Sequence, residues 1–202
     1  DPIIFFADRQ NLIGAATQQA ICWMLADREG ERITGNQSQV CRASSRSTLS
    51  SLEKYNIAFI THSLGSRNIV DALGDIVEML GDDQTKANQP DLVARLQEKE
   101  MTIFMLSNQL PLLQIGLPAP RVVGQIDDYC HEDGSKHDFR AFKKVHIAAF
   151  SDPNDLLSYA VMPDFVDNYL DSRMCPAVTN IQINVASQIS ALGVSIVNPI
   201  SA

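Results

Sequence analysis

The chain has 202 residues, with 24 acidic against 16 basic side chains and a formal net charge of −8. A chain of this length buries a sizeable core in one domain, taken here as residues 1–202, and its 45% hydrophobic content excludes a disordered composition. The acidic balance repels phosphate backbones, so no nucleic-acid partner is expected, and no apolar run reaches the roughly 20 residues of a transmembrane segment.

The first residues, Asp1-Pro2-Ile3-Ile4-Phe5-Phe6, have neither an initiator Met nor the basic start of a signal peptide. The chain therefore reads as processed, or as cut from something longer. Compartment and oligomeric state stay open. Cys22, Cys41, Cys130 and Cys175 are widely separated and form no C-x-x-C pair, so neither zinc nor a dithiol redox site is expected. A chain this long needs no covalent staples, and reduced cysteines are the expectation.

In chain order, Ile13, Ala16, Ala20 and Trp23 recur at helical spacing and predict a helix over Leu12 to Ala26. From Glu29 to Ser51 the chain is polar, a surface loop with a short helix near Thr48 to Lys54. Asn56 to Ile60 is a short apolar run suited to a buried strand. Thr61-His62-Ser63-Leu64-Gly65-Ser66 follows directly. A helix comes next, with Ile69, Val70, Leu73, Ile76, Val77 and Leu80 on one face and Gly81 as its stop. Asp91 to Glu100 predicts a further helix with Pro90 near its start. Thr102 to Leu106, Val145 to Phe150 and Val178 to Val185 predict three more strands. Strands separated by helices give a parallel sheet with helices on both faces.

The chemistry centres on Ser63. A serine hydroxyl needs a base to take its proton and donors to hold a developing oxyanion. A sharp turn from strand to helix lifts the Oγ above the sheet edge and aims backbone N–H groups at the reacting carbonyl. Strand and helix come close at such a turn, so small residues are needed two positions before and two after the serine. Gly65 meets the second requirement. Thr61 stands where the G-x-S-x-G pattern has glycine.

Thr61-His62-Ser63-Leu64-Gly65 resembles the nucleophile elbow of the α/β-hydrolase superfamily, especially serine esterases and lipases with a His-Ser-x-Gly core. The resemblance implies a doubly wound, mostly parallel sheet, of which these residues form an incomplete portion. It also implies Ser63 as nucleophile and the Leu64 backbone N–H as one oxyanion donor, the other coming from an early loop. His62 is not expected to be the base, because neighbouring side chains at this turn point in different directions. Ser151-Asp152-Pro153-Asn154-Asp155-Leu156-Leu157 resembles the family's acid loop, with Asp155 as the acid and Asp152 as the alternative; the acid would fix the histidine tautomer.

No histidine follows His146, whereas the family places its base last. The expectation is that this histidine lies beyond Ala202. After the second strand, Leu110, Leu112 and Leu113 are candidates to line an apolar acyl pocket. The cluster His131, Glu132, Asp133, His137 and Asp138 matches no ligand spacing and predicts a solvated loop, so neither metal nor other cofactor is implied. The expected substrate is a small-molecule or lipid ester. A catalytically inactive hydrolase-fold binding protein is the alternative. A nucleotide-binding Rossmann domain is disfavoured, since no G-x-G-x-x-G or G-x-x-x-x-G-K-[ST] run follows a strand.

Overall fold

The structure is a computed structural model, and it describes residues 10–25 and 55–184. The predicted short helix near Thr48 to Lys54 lies outside the described residues. The elements, in order, are α1 (Gln10–Leu25), β1 (Ile57–His62), α2 (Gly65–Gly81), α3 (Asp83–Asn88), α4 (Pro90–Gln97), β2 (Glu100–Leu106), α5 (Leu110–Leu113), α6 (Ile126–Cys130), β3 (Lys144–Ser151), α7 (Pro163–Tyr169) and β4 (Pro176–Gln182). The four strands form one parallel sheet in the order β1-β2-β3-β4.

All four predicted strands are present, with ends shifted by one to three residues. The six apolar residues predicted along one face of α2 are all buried. Gly81 closes that helix, and Asp82 then caps α3 by accepting the Thr85 N–H at 3.2 Å. Helix α1 is present where expected, over Gln10–Leu25 against the predicted Leu12 to Ala26. Among its described side chains Gln19 and Ile21 are buried and Ala20 is exposed. A segment rich in Gly, Ala and Gln carries too weak an apolar stripe for spacing to say which side faces inward.

Strand side chains alternate between the two faces of the sheet. One face is buried: Ile57 from β1, Met101, Ile103 and Met105 from β2, and Val145, Ile147 and Ala149 from β3 join α2 residues in the core. On the opposite face Ile60, Phe104 and Leu106 are exposed among the described residues. The topology accounts for this. Each strand pairs with the next in sequence, and right-handed crossovers that always step the same way put every connecting helix on one side. The expected helices on both faces are therefore not seen among the described residues.

The cysteines correct the sequence expectation. Cys130 and Cys175 form a disulfide, with Cα atoms 5.3 Å apart across 45 residues of sequence. Spacing gave no hint of it. A 3-10 turn at Ser172–Met174 brings Cys175 beside the end of α6, where the Cys130 Sγ also lies 3.4 Å from the Ser172 carbonyl.

Leu73 is fully buried at the centre of α2's apolar face. Leu73→Ala is expected to cost about 2–5 kcal/mol through lost burial and the cavity left behind, read as a lowered urea midpoint.

Candidate active site

Ser63 sits where β1 ends and α2 begins. Its N–H donates to the Leu106 carbonyl at 2.9 Å, extending the β1–β2 pairing by one bond. Its own carbonyl accepts from Ser66 N–H at 3.0 Å, the first bond of the helical turn. The turn between strand and helix thus contains only Ser63 and Leu64. Such a bend forces a positive φ, and Ser63 has φ +53°, a conformation residues with a β-carbon rarely adopt. Ser107, at the neighbouring end of β2, has φ +47°.

The close approach predicted on either side of the serine is present. A β-carbon added at Gly65 would lie 3.4 Å from the Thr61 Cβ. Thr61 fits in place of glycine because its hydroxyl is used: it donates to the Phe104 carbonyl at 3.3 Å and lies 3.3 Å from the Ser66 Oγ. The Leu64 N–H has no acceptor among the described residues, so it is free to serve an incoming oxygen.

The Ser63 Oγ donates to the Gln109 Oε1 at 2.8 Å. Gln109 follows Asn108, which is fully buried and bonded on three sides. The Asn108 N–H donates to the Phe150 carbonyl at 3.0 Å, its side-chain amide to the Tyr159 carbonyl at 2.8 Å, and its Oδ1 accepts from Leu110 N–H at 3.1 Å. This residue joins the loop after β2 to the loop after β3. Sequence reasoning passed over both residues. The signal was a polar Asn-Gln pair set between two apolar runs at a strand end.

Asp155 lies on the loop after β3, two strands from Ser63, which sets the two strand ends about 10 Å apart at the usual inter-strand spacing. Its Oδ1 accepts from Leu157 N–H at 2.9 Å, and the Asp152 Oδ1 accepts from Asn154 N–H at 2.9 Å. Both carboxylates stabilise their own turn. Neither is bonded to Ser63.

No histidine is hydrogen-bonded to Ser63. His62 is exposed on the opposite side of the strand from Thr61. His146 lies 3.8 Å from Glu100 on the sheet, and His131 lies 3.9 Å from Asp133. His137 is in a 3-10 turn before β3. Leu110 and Leu113 are buried and Leu112 is half-buried, so the predicted pocket residues mostly face the interior. Among the described residues no group of His, Cys, Asp or Glu could hold a metal ion, and no helix is long and apolar enough to cross a membrane.

A cavity of about 690 Å3 lies elsewhere, between α1, α2 and residues 117–121. Neither Ser63 nor Asp155 borders it. Asp71, Asp75 and Glu78 line it from successive turns of α2. Arg67 pairs with Asp71 at 2.6 Å, and Arg173 pairs with Glu78 at 2.6 Å. Burial raises the Asp71 carboxyl above its usual range, opposed by Arg67. Asp75, although exposed, is also raised, by partial desolvation at the cavity wall, and the like charges of Asp71 and Glu78 add to the effect.

Compared with known protein families, with curated proteins and with solved structures, the chain finds no match in any of the three.

The strained turn yields one prediction. Ser63→Gly relieves the positive φ and is expected to raise stability by about 1 kcal/mol, seen as a higher urea midpoint. The acidic cavity yields another. A carboxyl raised on folding binds its proton more tightly in the folded than in the unfolded chain. The stability this gives is fully present below the ordinary value of 3.8 and is lost as pH rises through the elevated folded value. Asp75→Asn is therefore expected to raise the melting temperature at neutral pH, with the gain vanishing below pH 3.8; melting curves across that range check it.

Proposed function

We propose that this chain is a serine hydrolase domain of the α/β-hydrolase type, cleaving carboxylic esters through an acyl-enzyme on Ser63. The observation that carries the reading is the Ser63 turn itself, with a positive φ between a parallel strand and a helix, a half-buried Oγ held only by Gln109 and a Leu64 N–H that has no acceptor among the described residues. In the proposed reaction the Ser63 Oγ attacks the acyl carbon as its proton passes to a base. The Leu64 N–H steadies the oxyanion. The alcohol leaves with the proton, and water then releases the acid.

Asp155 is the proposed acid. Two strand spacings leave room for an imidazole hydrogen-bonded to both the serine and the carboxylate. The base in this reading is a histidine; the Ser63 hydroxyl is held by Gln109, and none of His62, His131, His137 and His146 is hydrogen-bonded to it. The doubly wound arrangement belongs to the same proposal, with a second helical layer on the sheet face that carries Ile60, Phe104 and Leu106. Leu156, Leu157, Tyr159 and Met162 are exposed on and after the acid loop, which supports an ester with an apolar acyl part.

A second reading rests on the Ser63 to Gln109 bond. An amide oxygen cannot accept a proton at neutral pH, so a serine held only this way belongs to an inactive hydrolase fold that binds a partner or ligand. A fluorophosphonate probe separates the two. Covalent labelling of the native protein, abolished by Ser63→Ala with an unchanged melting curve, is the outcome expected for the enzyme. Well-folded protein that stays unlabelled would establish the binding reading instead.

A further inference from the structure

We infer that the side-chain amide of Gln109 is the second oxyanion donor of the Ser63 site, acting with the Leu64 N–H; the inference rests on the serine hydrolase reading above. The amide oxygen of Gln109 lies 2.8 Å from the Ser63 Oγ, and its Nε2 is bonded through the same carbon, about 2.2 Å from that oxygen. The Nε2 donors therefore lie within a few ångströms of the attacking atom. The oxyanion of a tetrahedral adduct sits two bonds from Oγ, inside the same radius. No acceptor takes the Gln109 Nε2 among the described residues.

The placement is rigid at its root. Gln109 follows the fully buried Asn108, whose backbone and side chain are bonded to Phe150, Tyr159 and Leu110. The Gln109 carbonyl accepts from Leu113 N–H at 3.0 Å, which fixes the residue at the start of α5. The backbone anchor keeps the amide beside the reacting atoms, so only its terminal bond has to turn to place a donor where charge develops. In the resting site the amide oxygen holds the Ser63 hydroxyl. When substrate enters and the proton turns toward the base, a rotation about the terminal bond of Gln109 presents Nε2 to the carbonyl oxygen. The amide exchanges no proton; it only donates a hydrogen bond.

Gln109→Glu separates this role from simple positioning of the serine. A glutamate retains an acceptor for the Ser63 hydroxyl but replaces the donor with a negative charge. With p-nitrophenyl butyrate as substrate, Gln109→Ala, Gln109→Leu and Gln109→Glu are each expected to lower kcat by about 100-fold or more, with KM within roughly threefold. The glutamate variant is expected to be no better than the alanine variant. Should Gln109→Glu work at the wild-type rate, or should the alanine and leucine variants stay within threefold of it, the donor role is overturned. The leucine variant keeps the test open if alanine loosens the loop. Ser63→Ala is run alongside. If hydrolysis and fluorophosphonate labelling do not depend on Ser63, the underlying reading fails; if they do while the Gln109 variants match wild type, only this inference fails.

Discussion

The site depends on a backbone bend with no slack. Ser63 is bonded backward to the sheet through Leu106 and forward to the helix through Ser66, and Gly65 packs against Thr61 because nothing separates strand from helix. A serine placed there cannot relax to a negative φ without breaking one of those bonds or moving α2. The same constraint leaves the Leu64 N–H uncommitted, since the first amides of a helix have no carbonyl behind them. The strain and the available donor are two results of one geometric fact.

The rest of the sheet edge is organised around that bend. Parallel strands bring their carboxyl ends to one side, so the loops after β1, β2 and β3 meet there. Asn108 links two of them through buried hydrogen bonds, and Gln109 reaches the third. Losing one partner of such a buried polar network would cost more than any single bond contributes, because the remaining groups would be left without water or protein. The scaffold of the site is thus a few polar residues set on an apolar sheet.

Much of this was legible in the sequence, and the rest was not for identifiable reasons. The first three strands could be read because each is a short apolar run, β4 because apolar and polar residues alternate along it, and α2 because its apolar positions repeat at 3.6 residues. The serine turn could be read because strand, Ser63 and helix follow without spacer. The short helices α3, α5, α6 and α7 were missed, since four to seven residues carry too little periodicity to register. Helix α1 could be read from its spacing, though its small residues left its inward side unassigned. The cysteine pairing could not be foreseen, because it depends on a 3-10 turn placed by the tertiary fold. Gln109 escaped notice because its importance lies in a contact across 46 residues that no local pattern encodes.

The Cys130–Cys175 bond closes a covalent ring that contains β3 and fastens the chain one residue before β4, which is an edge strand of the described sheet. Edges are where sheets fray, so the two sides of this one are unequal. At one border the chain is locked at its entry into the strand. At the other, among the described residues, β1 is held by hydrogen bonds and packing, and it leads straight to Ser63. A thiol reductant would therefore loosen the molecule first on the side away from the serine.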